Sequence, residues 1–198
     1  MANEKFREKV LDAAQKLFRE KGLGVVSMED VAKGVGKGKS TLYYYFKSKE
    51  EIFNAVLDAE MNSVILESIR QVSLKKGVLN QLMAFANTKF EMTRKRRSLF
   101  KAMEVGLDAE ALSDYEEVKR RVHHKYVQKE KQVLQQLLVS AIEHGEIRKM
   151  SNAKLDETIF IFLSSLRGIN REFFVHGSSE DGTQMIVAIC QLFYDGLK

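Results

Sequence analysis

The chain has 198 residues, 44% hydrophobic and 30% charged, with no proline, so it is long enough for one or two globular domains and permissive for long helices. It contains no run of about 18 apolar residues and begins without an apolar leader, so neither a membrane span nor a signal peptide is expected. Its single cysteine, Cys190, cannot form an intrachain disulfide, and a cytoplasmic protein is expected. The net charge is +5, and residues 1–49 carry all of it with 11 Lys/Arg against 6 Asp/Glu, which suggests a polyanionic partner for the N-terminal region.

The first quarter of the chain predicts three helices. Residues 4–21 place apolar side chains on one helical face, and Gly22 ends that pattern. Ser27 opens a capping box before a short helix at about 28–34. Another short helix follows at about 39–46, after a glycine-containing turn. Two short helices joined in this way are typical of a helix-turn-helix.

The rest of the chain predicts longer helices and no strand. A second capping box at residues 48–51 opens a long helix, and Gly77 marks the break that follows it. Further helices are predicted at about 78–93, 97–106, 109–143 and 152–173, and a last one follows the loop at 177–182. The sequence therefore predicts an all-α fold of about nine helices, with an N-terminal helix-turn-helix domain at residues 1–49 and a helical domain at 50–198.

Residues 33–42, KGVGKGKSTL, also resemble a phosphate-binding P-loop. A P-loop needs glycine five positions before its Gly-Lys-Ser, and that position is Lys33. It also needs a preceding buried strand, whereas a capped amphipathic helix precedes this stretch. A nucleotide-binding loop is therefore not the preferred interpretation.

The helix-turn-helix interpretation explains the same residues better. The second helix of such a motif lies in the DNA major groove with its N-terminal residues at base edges. Lys37 and Lys39 stand where this helix begins, and their charge would attract phosphates or guanine edges. Ser40 and Thr41 are short, polar and exposed by periodicity.

Several of these residues together carry a family resemblance. The pattern runs from Val10 through Ser27-Met28-Glu29-Asp30-Val31-Ala32 to Thr41-Leu42-Tyr43-Tyr44-Tyr45-Phe46-Lys47-Ser48-Lys49-Glu50. It resembles the DNA-binding domain of the TetR family of bacterial transcriptional regulators over about residues 8–53. The remaining residues resemble that family only in length and helix number.

The resemblance implies roles at matching positions. Ser27 and Lys49 match phosphate contacts, as do Tyr43 and Tyr45. The resemblance also implies contacts with DNA base edges or the nearby DNA backbone for Lys39, Ser40, Thr41 and Tyr44. For Tyr43 and Tyr45 a packing role with a solvated hydroxyl remains open. Lys37-Gly38 departs from the family pattern, because it loses the usual side-chain cap of the recognition helix and adds a charge.

Residues 50–198 are electroneutral and show no catalytic or metal-binding constellation. His123-His124 lacks partners at metal-ligand spacing, and neither a metal nor a cofactor is expected. The basic run at 93–97 is predicted as a solvated turn between helices, with a second nucleic-acid contact as the alternative.

Two further surfaces are predicted in the helical domain. By the resemblance, the middle helices enclose a pocket for a hydrophobic or amphipathic effector, and Met and aromatic side chains suit such a pocket. Its candidate residues are Met61, Ile65, Phe85, Phe90, Phe100, Met103, Tyr126 and Phe162. The broad apolar faces of the last two helices predict a four-helix homodimer interface. Its candidates are Phe162, Leu166, Phe173, Ile189 and Phe193.

The functional prediction is a homodimeric repressor that binds a palindromic DNA operator and is released by its effector. The alternative is an all-α ligand-binding protein or enzyme that uses the N-terminal helices as scaffold.

Overall fold

The computed structural model describes residues 2–177 and 181–198, with side-chain environments at all of these except 2, 98–100, 102 and 103. The described residues form eight α-helices and one π-helical turn and contain no β-strand. In chain order these are α1 Ala2–Lys21, α2 Met28–Gly34, α3 Lys39–Tyr45, α4 Lys49–Ser73, α5 Val78–Met103, α6 Ala109–Glu143, α7 Asn152–Arg171, the π-helical turn Glu172–His176 and α8 Gly182–Asp195. The all-α prediction is confirmed.

The ends of the first helices follow from local chemistry. Gly22 after α1 has φ +88°, and Gly36 between α2 and α3 has φ +66°, conformations that disfavour any residue with a Cβ. Ser27 Oγ accepts the Asp30 backbone N–H at 3.2 Å, while the Asp30 carboxylate accepts the Ser27 backbone N–H at 2.9 Å. The predicted capping box is confirmed.

The chain divides into two compact units, and three helices contribute to both. The first comprises Met1–Asn62 and Arg96–Lys125, and the second comprises Ser63–Lys95 and Tyr126–Lys198. The predicted functional boundary at residue 49 stays a prediction, because compactness does not define where DNA binding ends and effector binding begins.

Aromatic and aliphatic side chains fill the core of the first unit. Phe18, Leu42 and Phe46 have no solvent-exposed surface. The Phe53 ring stacks on that of Tyr115 with centroids 5.3 Å apart. Complete burial of one such side chain contributes about 1.5–3 kcal/mol. Leu42 and Phe46 therefore fix the inner side of α3 and leave its opposite side to solvent.

The second unit has its own apolar core. Phe85, Leu134, Phe162 and Ile186 are buried in it, and Cys190 on α8 is also fully buried. Burial raises the pKa of the Cys190 thiol to about 12. This cysteine is a small buried apolar side chain, as expected from its isolation in the sequence.

The predicted break within residues 93–97 is wrong, because α5 continues through it. The basic side chains are compatible with a helix, since acidic partners are within reach: Arg94 pairs with Glu91 at 2.6 Å, and Arg96 pairs with Glu60 of α4. The two helices predicted at 78–93 and 97–106 are therefore one. The basic run is part of a helix and not a turn.

The predicted loop at 177–182 partly lies outside the described residues, which omit 178–180. Asp181 caps α8 by accepting the backbone N–H of Thr183 at 2.9 Å and of Gln184 at 3.4 Å. The helix thus begins at Gly182, the last residue of that predicted loop.

Candidate nucleic-acid interface

Residues 33–42 form the end of α2, a turn and the start of α3. Gly36 supplies the left-handed residue of the turn, and Gly38 stands at the N-cap of α3 without a side-chain cap, as predicted. A helix precedes this stretch, and the described part of the chain holds no strand. The P-loop interpretation therefore fails on context as well as spacing.

The solvent-facing side of α3 is polar and aromatic. Lys39, Ser40 and Thr41 are exposed in its first turn, and Tyr44 is 74% exposed. Such side chains at the start of a short helix can reach base edges and phosphates. We refer to Lys37, Lys39, Ser40, Thr41, Tyr43 and Tyr44 as the α3 face.

The lysines of the α3 face are available for a new partner. Among the described residues neither Lys37 nor Lys39 forms a salt bridge. Lys39 Nζ lies 5.8 Å from the centroid of the Tyr43 ring, one turn further along the helix. Lys33 differs, because it pairs with Glu29 at 2.9 Å, and the hydrogen bond and charge of Lys33 lower the pKa of Glu29.

Tyr45 is turned towards α1 and packs there. Its ring centroid lies 4.7 Å from that of Phe6, and its hydroxyl donates to Asn3 Oδ1 at 2.9 Å. Arg7 donates to the Tyr45 carbonyl at 3.3 Å and stacks over the Phe46 ring at 4.3 Å. The structure thus favours the packing alternative for Tyr45. The sequence analysis did not identify Asn3 and Arg7 as residues that hold Tyr45 and Phe46 in place, because no local motif marks either of them.

Lys49 is half-buried and already engaged. Its ammonium donates to the Leu23 carbonyl at 2.9 Å, which ties the start of α4 to the segment after α1. Next to it, Ser48 Oγ accepts the Glu51 backbone N–H at 3.2 Å, and the Glu51 carboxylate accepts the Lys47 backbone N–H at 2.6 Å. Lys49 is therefore a structural link within the first unit, and its phosphate contact stays a prediction.

Ser27 is exposed, but its hydroxyl already forms two intramolecular hydrogen bonds. It accepts from the Asp30 backbone and donates to Asp30 Oδ2 at 2.6 Å. Hydrogen bonds from Ser27, first from its hydroxyl and then from its backbone, lower the pKa of the Asp30 carboxyl. One hydroxyl lone pair remains for another donor, but a hydroxyl that points its proton at Asp30 cannot also donate to a phosphate.

The described candidates for the effector pocket lie in both compact units, and the pocket itself stays a prediction. Met61 lines a cavity of about 200 Å³ in the first unit, together with Leu57, Lys119, Val122 and His123. The pocket candidates in the second unit are all buried in its core, namely Ile65, Phe85, Phe90, Tyr126 and Phe162. The side chains of Phe100 and Met103 lie outside the described residues.

The predicted dimer face needs correction. Phe162 and Leu166 are each 1% exposed within the single chain, so no partner can reach them. Phe193 is half-buried, and its ring centroid lies 4.5 Å from that of Phe162. Phe173 and Ile189 instead line an open apolar groove of about 390 Å³ between α7 and α8. Its other lining residues are Ile169, Glu172, Met185, Ala188 and Leu192.

The described residues contain neither a cluster of metal ligands nor a candidate membrane span. No group of three or more His, Cys, Asp or Glu side chains there could hold a metal ion. None of the helices in that part combines the length and apolarity that crossing a bilayer requires.

The chain is similar to known bacterial transcriptional regulators. Residues 10–56 match the sequence profile of a family described as bacterial regulatory proteins, tetR family. The HTH-type transcriptional regulator SrpR of Pseudomonas putida is 23% identical over 169 residues, which are 84% of this chain and 74% of that protein. The negative transcriptional regulator IcaR of a Staphylococcus epidermidis biofilm operon is 36% identical over 59 residues, 30% of this chain and 32% of IcaR.

Most of these curated relatives are matched over only part of their length. Apart from SrpR, the chain spans from 24% to 46% of the length of each of the first relatives. A solved structure of the regulator FadR from Bacillus subtilis, in complex with stearoyl-CoA, superposes with a TM-score of 0.67 over 96% of this chain and 99% of FadR, at 17% identity. That likeness establishes the fold, an N-terminal helix-turn-helix followed by a helical C-terminal region.

Proposed function

We propose that this chain, whose residues 10–56 match the TetR family of bacterial regulatory proteins, is a homodimeric transcriptional repressor that binds a palindromic DNA operator and is released by a small effector. The observation that carries the proposal is the α3 face, where exposed lysine, hydroxyl and tyrosine side chains stand free on a helix held from behind by Leu42 and Phe46. Its relatives are named as transcriptional regulators, which are not enzymes, and we propose no catalytic activity.

DNA recognition would follow from the geometry of α3. Lys39, Ser40 and Thr41 occupy the first turn, which is where a recognition helix contacts base edges. Tyr44 is exposed one turn further and would contact bases or the neighbouring backbone. Lys37 would neutralise phosphate charge, which makes the affinity fall with salt.

A second copy would cover the apolar groove of α7 and α8. Leu192 is 70% exposed there, and Phe160 and Ile161 are exposed on α7. Exposed apolar surface of this kind is typical of an interface, and a two-fold axis would pair each groove with its equivalent. A dimer also suits DNA, because two recognition helices about 34–36 Å apart meet successive major grooves.

Effector control would act through α4. This helix begins at Lys49, whose ammonium binds the Leu23 carbonyl, and its residues from Ser63 onward belong to the second unit. A ligand that binds the second unit better in one position of α4 would shift the population of two dimer geometries. A hydrophobic or amphipathic effector is proposed, and the FadR complex with stearoyl-CoA supports that class. A repressor role is supported by the relative IcaR, which is named a negative transcriptional regulator. A protein that acts on bacterial DNA would work in the cytoplasm, and we propose that location.

The proposal is tested by selecting binding sites from a pool of random duplex DNA with the purified protein. We expect enrichment of a palindrome whose half-sites are one helical turn apart or multiples of it. Its affinity should fall linearly on a plot of log affinity against log salt.

Absence of any enriched sequence, with binding only at low salt, would contradict the proposal. The same selection with candidate effectors present then covers a regulator that needs its ligand to bind. Failure there too would favour the ligand-binding or enzymatic alternative, in which the N-terminal helices are only scaffold.

A further inference from the structure

A second cavity in the first unit is formed by four segments of the chain. Its volume is about 280 Å³, and its walls are the segment after α1, the start of α4, the loop between α5 and α6, and the first turns of α6. All four segments belong to the first unit. None of the described lining residues also lines the cavity at Met61, and none is a candidate for the effector pocket or the dimer interface. The function proposed above therefore makes no use of this cavity.

Two walls of the cavity are held together by backbone. Gly24, after α1, and Gly106, in the loop between α5 and α6, both line it. A Cβ at Gly24 would lie 2.0 Å from the Gly106 carbonyl oxygen, so the two segments approach more closely than side chains would permit. Gly106 has φ +80°, a conformation that other residues rarely adopt. The cavity is thus shaped before any ligand arrives, as small-molecule sites usually are.

One side of the cavity is apolar. Leu23, Phe53 and Val118 line it there. The Phe53 ring stacks on that of Tyr115, which also lines the cavity, and both residues are only 2% exposed. This side suits the hydrocarbon or aromatic body of a small molecule.

Three acidic residues line the same cavity. They are Glu50 at the start of α4, Asp108 before α6 and Asp114 on α6, and all three are exposed. None of them forms a salt bridge within the part of the chain that the structure describes. Asp108 Oδ1 accepts the Ala111 backbone N–H at 2.9 Å, and the remaining lone pairs of its carboxylate can accept further bonds.

Other acidic residues of the first unit are neutralised by basic side chains. Asp58 pairs with Lys125 at 3.5 Å, and Glu116 pairs with Lys119 at 2.7 Å. The acidic residues of the cavity are therefore unusual within their own unit in having charge left over.

The charge balance of the cavity favours a cation. Lys49 is the one basic residue among its described lining residues, and its ammonium donates to the Leu23 carbonyl. Three carboxylates against one ammonium leave an excess of two negative charges, and a cleft with one sign of charge concentrates ions of the other sign. No group of three acidic side chains in the described residues could hold a metal ion. An organic cation, which needs no tight coordination shell, fits both this spacing and the apolar side.

We propose that this cavity binds a small organic amine, with its ammonium among Glu50, Asp108 and Asp114 and its apolar body against Phe53 and Val118. A primary ammonium has three donors and no acceptor, and ionised carboxylates are acceptors only, so the two match. A carboxylate ligand would be repelled by the three acidic residues. A neutral alcohol would fit the apolar side but would gain no attraction between charges. The inference goes beyond the proposed function and does not depend on it.

The experiment compares 2-phenylethylamine, 2-phenylethanol and phenylacetate, which share the aromatic ring and differ in the polar end. Each is titrated at pH 7 into the full-length protein labelled with ¹⁵N, and the backbone amide signals are followed by NMR. We expect the amine to shift the signals of Gly24 and Gly106 and to leave that of Gly145 in the second unit unchanged. It should bind at least about tenfold more tightly than the alcohol, because only the amine is attracted by the charge of the cavity. Added salt should weaken the amine and not the alcohol.

Two variants separate the cavity from its charge. Ala111→Leu places a larger side chain in the cavity and keeps every carboxylate, so it should abolish saturable binding of both the amine and the alcohol. Asp114→Asn keeps the shape and removes one charge, so it should weaken the amine about threefold and leave the alcohol unchanged. Glu110→Gln is the matched control, since Glu110 is exposed on the same helix and does not line the cavity. Thermal unfolding establishes that each variant is folded.

Equal binding of the amine and the alcohol would overturn the inference, and so would tighter binding of phenylacetate. Unchanged Gly24 and Gly106 signals at saturating amine would overturn it as well. If Ala111→Leu binds the amine as the wild-type protein does, the amine is attracted to a charged surface and not to the cavity, and the inference fails. The DNA selection is a separate readout, so a failure of the proposed function there leaves this inference standing.

Discussion

The α3 face and the α7–α8 groove expose large side chains to a similar degree but differ in chemistry. Tyr44 on α3 is 74% exposed and Leu192 on α8 is 70% exposed. Tyr44 has lysines and hydroxyls around it, which suit a hydrated polyanion, whereas Leu192 lies among apolar side chains that gain by leaving water. Exposure alone therefore does not identify a partner, and the neighbouring side chains do.

The largest expected effect comes from placing a charge in the groove. Leu192→Glu should raise the dissociation constant of the dimer at least about a thousandfold, because a two-fold interface would bury the uncompensated carboxylate twice. Sedimentation velocity measures the change. Leu74→Glu is the matched control, since Leu74 is 64% exposed and is not among the groove residues. A variant that stays dimeric would show that the groove is not the interface.

The α3 face is tested by the double variant Lys39→Ala, Tyr44→Ala. Its operator affinity should fall about a hundredfold, since loss of a phosphate or base contact costs roughly 1–3 kcal/mol at each position. The melting temperature should hardly change, because both side chains are exposed. Fluorescence anisotropy with the selected operator measures the effect, and Lys149→Ala on the second unit is the control. Undiminished affinity would mean that α3 does not read DNA.

Within the first unit, two backbone segments approach each other closely. A Cβ at Gly24 would lie 2.0 Å from the Gly106 carbonyl oxygen, whereas a Cβ at Gly36 would meet nothing within 4 Å. Gly24→Ala should therefore destabilise the protein by about 1–3 kcal/mol through overpacking. Gly36→Ala should cost about 1–2 kcal/mol from its left-handed backbone alone. Urea unfolding compares them, and a neutral Gly24→Ala would contradict the close approach.

The smallest expected effect is on stability, and it comes from substitutions of the N-cap residue Ser27. Ser27→Ala should lose about 1 kcal/mol of stability, and Ser27→Asn should retain most of it, because asparagine is also a good N-cap. The depressed pKa of Asp30 stabilises the fold at neutral pH, and this contribution is lost as pH falls below about 3.9, the ordinary pKa of an aspartate. The cost of Ser27→Ala should therefore shrink in acid. A pH-independent cost would show that the Asp30 interaction does not matter.

Those variants also test the predicted phosphate contact. If the Ser27 hydroxyl contacts DNA, both Ser27→Ala and Ser27→Asn should weaken operator binding at neutral pH. If only the cap matters, Ser27→Asn should bind as tightly as the wild-type protein. Anisotropy at one salt concentration distinguishes the two results.

Much of the molecule could be predicted from local patterns. The capping box of Ser27, the glycine turn at Gly36 and the 3.6-residue periodicity act within a few residues. These local signals were therefore sufficient to predict the all-α fold and the helix-turn-helix. The same periodicity accounts for the buried positions of Leu42 and Phe46 on the inner side of α3. These features depend on backbone hydrogen bonding and on which side of one helix a residue occupies.

Contacts between residues that are distant in the chain could not be predicted from these local patterns. Tyr45 packs on Phe6, and Lys49 binds the Leu23 carbonyl. Glu60 of α4 pairs with Arg96 of α5, the helix that the sequence pattern predicts as two separate helices. Tertiary packing also assigned Phe162 to the core of the chain rather than to a partner. An apolar helical stripe has the same pattern whether another helix of its own chain or a second copy covers it. The physical reason is that periodicity specifies a side of a helix, whereas the neighbour on that side depends on the whole fold.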